Sequence, residues 1–264
     1  MTVVEDKQIA ALAEALDTAA ARAAAIAQLS QAHPALGVGD AYRIARASIA
    51  RREARGERII GIKMGFTSRA KMAQMGVDDL IWGWLTDAML LADGGNAPAA
   101  RFIHPRIEPE LAVRLKAPLA GKVTALEAWG AVEAVAPAME IIDSRYRDFR
   151  FSLADVVADN ASSSAFVVGA WQRPDLDIAN LGMAMSIDGT PAQFGSSAAI
   201  LGHPQRSLVA AARLAGEAGF ALEAGWTVML GAATSAEAIR AGNRVRLETE
   251  KMATVDIALT GDAA

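Results

Sequence analysis

Apolar residues recur with helical spacing along the first 55 residues of the chain. In the alanine-rich stretch 5–30, Ile9, Leu12 and Leu16 lie three or four positions apart, which places them on one face of a helix. A break at residues 34–39 follows. Asp40 is then a candidate N-cap for a second helix that runs to Arg55. The pattern therefore predicts a helical N-terminal part.

From residue 58 onward the pattern changes to short β-branched and alternating runs. Thr124 and Glu127 have the spacing of a capping box and predict a helix to about Val135. A further helix, with one apolar face, is predicted over residues 207–218. The predicted strands cover residues 58–66, 89–92, 107–115, 139–142, 165–171, 183–187, 226–230, 245–249 and 254–259. We expect an α+β fold with a helical region at 1–86 that contributes to the site and a β core at 87–264, the two forming one integrated unit.

The composition excludes several classes of protein. The net charge of −4 argues against nucleic-acid binding and against a polybasic membrane surface. The absence of cysteine excludes thiol catalysis, zinc–thiolate sites and disulfides. The opening MTVVEDK lacks the basic and apolar segments of a signal peptide, and the longest uncharged stretch, 189–205, is too short and polar to span a bilayer. We expect a cytoplasmic protein whose chemistry depends on carboxylates, lysine or a metal.

The strongest local signal is the run RIEPELAV at residues 106–113. In a strand, Glu108 and Glu110 share a face, where two carboxylates repel unless a positive group lies between them. A hard divalent cation suits such oxygen ligands, whereas the alternative is the solvated face of an exposed strand. Pro109 predicts a strand start or a sheet edge.

A third acid, Glu140, lies inside an apolar run. A glutamate in such surroundings is expected to be neutral, paired or bound to a metal. Three glutamates on neighbouring strands would supply half of an octahedral shell for Mg²⁺ or Mn²⁺. The alternative is that Glu140 pairs with a structural arginine such as Arg145.

Three further residues are candidates for the site. Lys63, between glycines and apolar residues, is either a buried group for proton transfer or a lysine that extends to water. Asp78 is a loop acid or a turn residue, and Ser162 lies in a serine-rich segment that suits either anion binding or turn formation. The chain has no G-x-S-x-G, P-loop or G-x-G-x-x-G motif, which argues against a serine hydrolase and a nucleotide site.

Six ordered segments spread over nearly the whole chain carry a family resemblance. They are GIKMGFTS at 61–68, GVD at 76–78, RIEPE at 106–110, EIIDSR at 140–145, VADNAS at 157–162 and LGHP at 201–204. Together they resemble the hydratase/decarboxylase branch of the fumarylacetoacetate hydrolase superfamily. The resemblance implies a mixed β-sheet or roll core around Mg²⁺ or Mn²⁺. It further implies that Glu108, Glu110 and Glu140 bind the metal, that Lys63 and Asp78 are catalytic, and that Ser162 lies near the substrate.

The implied activity is decarboxylation of a 2-oxo dicarboxylate, 2-oxohex-3-enedioate, in the meta-cleavage catabolism of aromatic compounds. One alternative is hydration of 2-hydroxypenta-2,4-dienoate, and another is a weakly active partner subunit of a decarboxylase–hydratase complex. The resemblance also implies a homo-oligomer and a complex with the hydratase. Ile81, Trp82 and Trp84 are candidates for an apolar wall beside the departing carboxylate, or for core packing.

Overall fold

Three helices form the N-terminal part: α1 (Asp6–Ala21), α2 (Leu29–Ala32) and α3 (Val38–Ala54). The computed structural model describes residues 4–68, 72–73, 77 and 79–261. The apolar face of α1 packs against α3 in one buried cluster. The helical N-terminal part predicted from the sequence is therefore confirmed.

The helix boundaries differ from the prediction. Helix α1 ends at Ala21, not near residue 30, because Ile26 exchanges backbone hydrogen bonds with the segment after β6: its N–H donates to the Arg145 carbonyl at 2.9 Å, and its carbonyl accepts from the Arg147 N–H at 3.0 Å. Helix α3 begins at Val38, so Asp40 lies within its first turn and pairs with Arg43 instead of capping the helix.

The β body contains thirteen strands among the described residues, together with three more helices. The helices are α4 (Ala125–Gly130), α5 (Leu153–Ala158) and α6 (Pro204–Glu217). The strands are β1 (Ile59–Gly65), β2 (Ile81–Thr86), β3 (Leu90–Leu91), β4 (Gly95–Pro98), β5 (Arg106–Leu115), β6 (Val132–Ile142), β7 (Ser163–Val168), β8 (Gly182–Ile187), β9 (Thr190–Ser196), β10 (Thr227–Ala232), β11 (Glu237–Ala238), β12 (Arg244–Thr249) and β13 (Val255–Thr260).

Two mixed sheets pack face to face. The larger has the order β2-β1-β10-β5-β6-β7-β3 with β11 beside β5, and the smaller has the order β4-β13-β12-β8-β9. Strand β1 is parallel to β10, β3 to β7 and β4 to β13, whereas the other pairs are antiparallel. Ile62, Leu111 and Val113 of the larger sheet meet Val245 and Leu247 of the smaller sheet in the main core. The α+β class is confirmed.

The opposite face of the larger sheet is also buried, because the sheet curls into a roll. At the seam, the Asn160 side chain accepts a hydrogen bond from the Trp84 N–H at 2.7 Å and donates one to the Trp84 carbonyl at 2.9 Å. This amide joins the β2 edge to the turn that precedes β7. An apolar cluster of Leu85, Met89, Ala112, Ala138, Phe166 and Met229 fills the interior of the roll.

The predicted extents of one helix and one strand were wrong, and four strands were missed. The helix that starts after Thr124 has the expected capping box but ends at Gly130 rather than Val135. Strand β6 begins at Val132 because it pairs with β5 along nearly its whole length, and this long-range ladder overrides the local helical pattern. Strands β2, β4, β9 and β11 were not predicted.

Strands β1 and β2 precede residue 87, yet they pair in the same sheet as β5 and β10. This pairing supports one integrated unit, and the division at residue 86 stays a prediction. Within the part of the chain that the structure describes, no helix is both long enough and apolar enough to cross a membrane.

Substitution of Gly83 tests whether β2 packs against the turn at Asn160 and so closes the roll. A Cβ at this position would lie 2.4 Å from the Asn160 carbonyl oxygen, so Gly83→Ala must push the seam apart. We expect a loss of about 1–3 kcal/mol in the free energy of unfolding, measured in urea. Gly39→Ala in α3, where a Cβ meets nothing within 4 Å, is the matched control and should be neutral or stabilising. Equal stability of the two variants would contradict the closure.

Candidate metal centre

Three glutamates meet inside the roll. Glu108 of β5 lies directly opposite Glu140 of β6, and Glu110 follows two residues along the same face. Glu108 is 6% exposed, and Glu110 and Glu140 are fully buried, so they do not form a solvated strand face. One carboxylate oxygen from each lies within 4.8 Å of the other two. Ligands of one divalent cation, at roughly 2.0–2.6 Å from it, have the same mutual spacing.

The electrostatics of this cluster favour a cation. Burial raises the pKa of Glu110 well above its usual value, and the charges of Glu140 and Glu108 raise it further. Burial also raises the pKa of Glu140, although Lys63 opposes the change. Glu110 Oε1 and Glu140 Oε1 accept no hydrogen bond from the described residues. Buried acceptors without donors, next to like charges, match the oxygen donor set of Mg²⁺ or Mn²⁺.

Lys63 of β1 is the charge partner of Glu140. Its side chain is almost fully buried, and its Nζ lies 2.9 Å from Glu140 Oε2. Burial alone would lower the pKa of Lys63, but Glu140 together with the other two glutamates raises it above the usual value. The ammonium therefore remains protonated. The alternative that Glu140 pairs with Arg145 is wrong, since the Arg145 guanidinium pairs with Asp159.

An irregularity in β10 orients Glu110. The register of β10 against β5 shifts between Met229 and Ala232. Gly231 there has φ +108°, and its N–H donates to Glu110 Oε2 at 2.8 Å. A Cβ at Gly231 would lie 2.2 Å from the Thr67 hydroxyl oxygen, so only glycine fits. The backbone thus supplies one donor to a carboxylate that is otherwise surrounded by like charges.

Pro109 occupies an interior strand, so its predicted position at a strand start or sheet edge is wrong. Strand β5 lies between β10 and β6. The Pro109 carbonyl accepts a hydrogen bond from the Ala233 N–H at 2.9 Å, so its nitrogen also faces β10. There the ladder is interrupted and no donor is required. A proline is tolerated at such a bulge for the same reason as at an edge.

The serine-rich segment places two hydroxyls near the roll. Ser162 is buried in the turn Asn160–Ser162, and its hydroxyl has no hydrogen bond among the described residues. Ser163 lies close enough to Glu140 for its hydroxyl to lower the pKa of that carboxyl, but the hydroxyl forms no hydrogen bond among the described residues. Sequence analysis missed Ser163, because three consecutive serines give no signal that selects one of them. The role of Ser162 stays a prediction, and Asp78 lies outside the described residues.

The predicted aromatic wall is wrong. Gly83, and not a tryptophan, lies opposite Lys63, so Trp82 and Trp84 project from the other face of the sheet. There they pack against each other and Phe220 in the main core. Ile81 packs in the cluster of the N-terminal helices.

A small cleft of about 90 Å³ opens beside Glu108. Four of the residues that line it carry hydroxyl groups: Thr67, Ser68, Thr234 and Ser235. The other lining residues come mainly from β1 and from the end of β10 and the segment after it. A polar cleft next to a carboxylate cluster suits an oxygen-rich organic anion that is bound through a cation.

The family comparison agrees with this geometry. The family described as fumarylacetoacetate (FAA) hydrolase C-terminal matches residues 58–259. A 4-oxalocrotonate decarboxylase of a Pseudomonas species is 56% identical over 255 residues, which cover 97% of this chain and 99% of the relative. A 2-hydroxyhexa-2,4-dienoate hydratase of Comamonas testosteroni is 38% identical over 264 residues, covering 97% of this chain and 100% of the relative.

A solved structure of a relative has the same fold. The 4-oxalocrotonate decarboxylase from Pseudomonas putida G7, complexed with magnesium and adipate, superposes with a TM-score of 0.95 at 37% identity. The match covers 98% of this chain and 100% of that chain. The fumarylacetoacetate-hydrolase-like fold expected from the sequence is confirmed.

Glu108→Gln tests the metal centre. The substitution removes one of three anionic ligands while keeping the shape of the side chain. We expect Mn²⁺ affinity, measured by titration calorimetry, to fall by about 30-fold or more, the cost of truncating a buried charge pair. The circular dichroism spectrum should not change, because the core forms without the metal. Glu133→Gln, on the exposed side of β6, is the matched control. Unchanged affinity in Glu108→Gln would contradict the assignment.

Proposed function

The chain belongs to the fumarylacetoacetate hydrolase family, and we propose that it decarboxylates 2-oxohex-3-enedioate (4-oxalocrotonate) to 2-hydroxypenta-2,4-dienoate and carbon dioxide. The enzyme is a carboxy-lyase of aromatic meta-cleavage catabolism. The observation that carries the proposal is the 56% identity to a 4-oxalocrotonate decarboxylase over nearly the whole chain. The buried glutamates and Lys63 supply matching chemistry.

Glu108, Glu110 and Glu140 would hold Mg²⁺ or Mn²⁺. Among the described residues, the Lys63 ammonium is the cation that pairs with Glu140, and a divalent cation would add positive charge among the three carboxylates. The bound metal supplies an electrophile that stabilises negative charge on the 2-oxo oxygen of the substrate. The Gly231 N–H and the Lys63 ammonium keep Glu110 and Glu140 in place on the interior face of the roll.

The remaining steps are assigned to this chain's own groups. As the C5–C6 bond breaks, its electrons form the C4–C5 double bond, the C3–C4 π pair moves to C2–C3, and the C2–O π pair moves onto the oxygen, which gives the enolate and carbon dioxide. Lys63, a protonated group beside the carboxylates, donates a proton to the developing enolate oxygen. The hydroxyls of Thr67 and Thr234 in the cleft bind substrate carboxylate oxygens.

The interior of the roll favours loss of carbon dioxide. Beyond the carboxylates, the Lys63 face continues into Met229, Phe166 and Ala112, all fully buried. This apolar surface takes the place of the tryptophan wall. A low-dielectric environment raises the free energy of a departing carboxylate relative to neutral carbon dioxide. Catalytic action of Asp78 and substrate binding by Ser162 remain part of the proposal.

Two alternatives are retained. The 38% identity to a 2-hydroxyhexa-2,4-dienoate hydratase favours hydration of 2-hydroxypenta-2,4-dienoate as a second candidate activity. A weakly active partner subunit is the other, but the presence of all three glutamates and Lys63 weighs against it. The homo-oligomer, the complex with a hydratase and the cytoplasmic location stay predictions.

The reaction itself is tested by offering each substrate separately to the protein with Mg²⁺. We expect carbon dioxide and 2-hydroxypenta-2,4-dienoate to form from 2-oxohex-3-enedioate, and no release of carbon dioxide after chelation. Rapid hydration of 2-hydroxypenta-2,4-dienoate, with no carbon dioxide from the diacid, would overturn decarboxylation and establish the hydratase alternative. Lack of either activity would favour the partner-subunit reading.

Lys63→Ala tests the proton donor. Turnover should fall roughly 10²–10⁴-fold, the usual range for a proton-transfer group. Mn²⁺ affinity should change little, since the three carboxylates remain. Lys116→Ala removes an exposed lysine and serves as the control. A fully active Lys63→Ala enzyme would refute the role.

A further inference from the structure

The turn just before β7 has strained backbone. Asn160, Ala161 and Ser162 have φ values of +52°, +53° and +57°. Asparagine adopts such left-handed angles readily, but alanine and serine do not. Three consecutive residues in this region persist only where neighbouring groups hold them in place. The turn therefore depends on a partner outside its own sequence.

Arg145 is a partner of this kind. It is 5% exposed and lies three residues after the end of β6. Its guanidinium donates to the Asp159 carbonyl, which precedes the strained run, and through Nη1 to the Ser163 carbonyl at 3.2 Å, which follows it. The Asp159 carboxylate accepts from Arg145 Nε and, at 3.0 Å, from the Arg145 N–H. One side chain thus fixes both ends of the turn.

The pairing of β6 with β7 changes register at the same place. Ile141 pairs with Ala165. The next residue, Ile142, pairs with Ser163 rather than with Ser164, so Ser164 is the extra residue of a β-bulge. An unshifted ladder would place Ser163 on the face of Ala165, which lies in the main core. The bulge instead turns Ser163 to the interior face of the roll.

Arg145 holds this bulge as well. Its Nη1 donates to the Ser164 hydroxyl and to the Asp143 carbonyl, both at 2.6 Å. The Asp143 N–H in turn donates to the Ser162 carbonyl at 2.9 Å. The left-handed turn and the bulge are therefore held by the same guanidinium, and Ser163 lies between them.

The direction of Ser163 matters because of Glu140. The Ser163 hydroxyl is close enough to lower the pKa of that carboxyl. Within the described part of the chain, this hydroxyl makes no hydrogen bond, and Glu140 Oε1 accepts none. A buried donor without an acceptor thus lies beside a buried acceptor without a donor. Buried polar groups are usually paired, so this arrangement indicates a functional site rather than simple packing.

We propose that Arg145 is a positioning residue of the metal centre, which acts by directing the Ser163 hydroxyl to Glu140. Groups beside a metal-binding carboxylate orient it and change the affinity of the site for its cation. This role rests on the cation binding that the proposed function assigns to the three glutamates, and not on the reaction. Arg145 acts at a distance, since its bonds go to the turn and the bulge.

Calorimetric titration of the full chain with Mn²⁺, without substrate, tests the proposal. Arg145→Lys keeps the charge that balances Asp159 but loses the planar group that reaches both ends of the turn. We expect the dissociation constant for Mn²⁺ to rise about tenfold, the lower end of the range for groups that support a metal ligand. Ser163→Ala should raise it by a similar factor. Arg43→Lys, at an arginine with three partners among the N-terminal helices, is the control and should change nothing.

The double variant separates positioning from a general loss of structure. Arg145→Lys should add little in the Ser163→Ala background, because the hydroxyl that Arg145 directs is absent. Two independent effects would instead multiply to about a hundredfold. Such multiplication, or unchanged Mn²⁺ affinity in folded Arg145→Lys protein, would overturn the proposal.

Ser164→Ala is the second test and applies if Arg145→Lys does not fold by circular dichroism. It removes one hydrogen bond of Arg145 at the bulge and leaves the ion pair with Asp159 intact. We expect the dissociation constant for Mn²⁺ to rise about threefold, the loss of one hydrogen bond, and unchanged affinity would overturn the role of Arg145. Mn²⁺ binding with the expected losses, but no carbon dioxide from the diacid, would support that role and overturn the proposed function.

Discussion

Repulsion among three buried carboxylates is the constraint around which this fold is arranged. One carboxylate oxygen each of Glu108, Glu110 and Glu140 lies within 4.8 Å of the other two, and all three side chains are buried. Lys63 and the Gly231 N–H offset part of that energy, but Glu110 Oε1 and Glu140 Oε1 accept no hydrogen bond from the residues that the structure describes. The apolar packing of the two sheets must therefore hold the cluster together until a cation binds.

The register of the paired strands brings the three glutamates together in one site. Residues directly opposite each other on paired strands share a face, so the pairing of Glu108 with Glu140 places Lys63, Met229 and Phe166 on the same interior surface. A shift of one residue in either strand would send a glutamate into the main core. The cost of that error makes the register highly specific.

Local pattern predicted the helical N-terminal part, the course of β5 and the shared face of Glu108 and Glu110, since each depends on residues a few positions apart. Two other features depend on which strands become neighbours, and the sequence pattern alone does not contain that information. They are the face of the sheet from which Trp82 and Trp84 project, and the position of Pro109 in an interior strand. The same holds for the partner of Glu140, which comes from a strand 77 positions earlier in the chain.

At the seam of the roll, the side-chain amide of Asn160 makes the two hydrogen bonds to Trp84 that the backbone of a neighbouring strand would otherwise make. It satisfies both the N–H and the carbonyl of Trp84, where a complete ladder would use several residues. Asn160, Ala161 and Ser162 all have positive φ, so the turn that presents this amide is itself strained. At the seam, this one side chain therefore makes both of these hydrogen bonds. Opening of the seam would uncover the carboxylates while the main core, on the opposite face, stays packed.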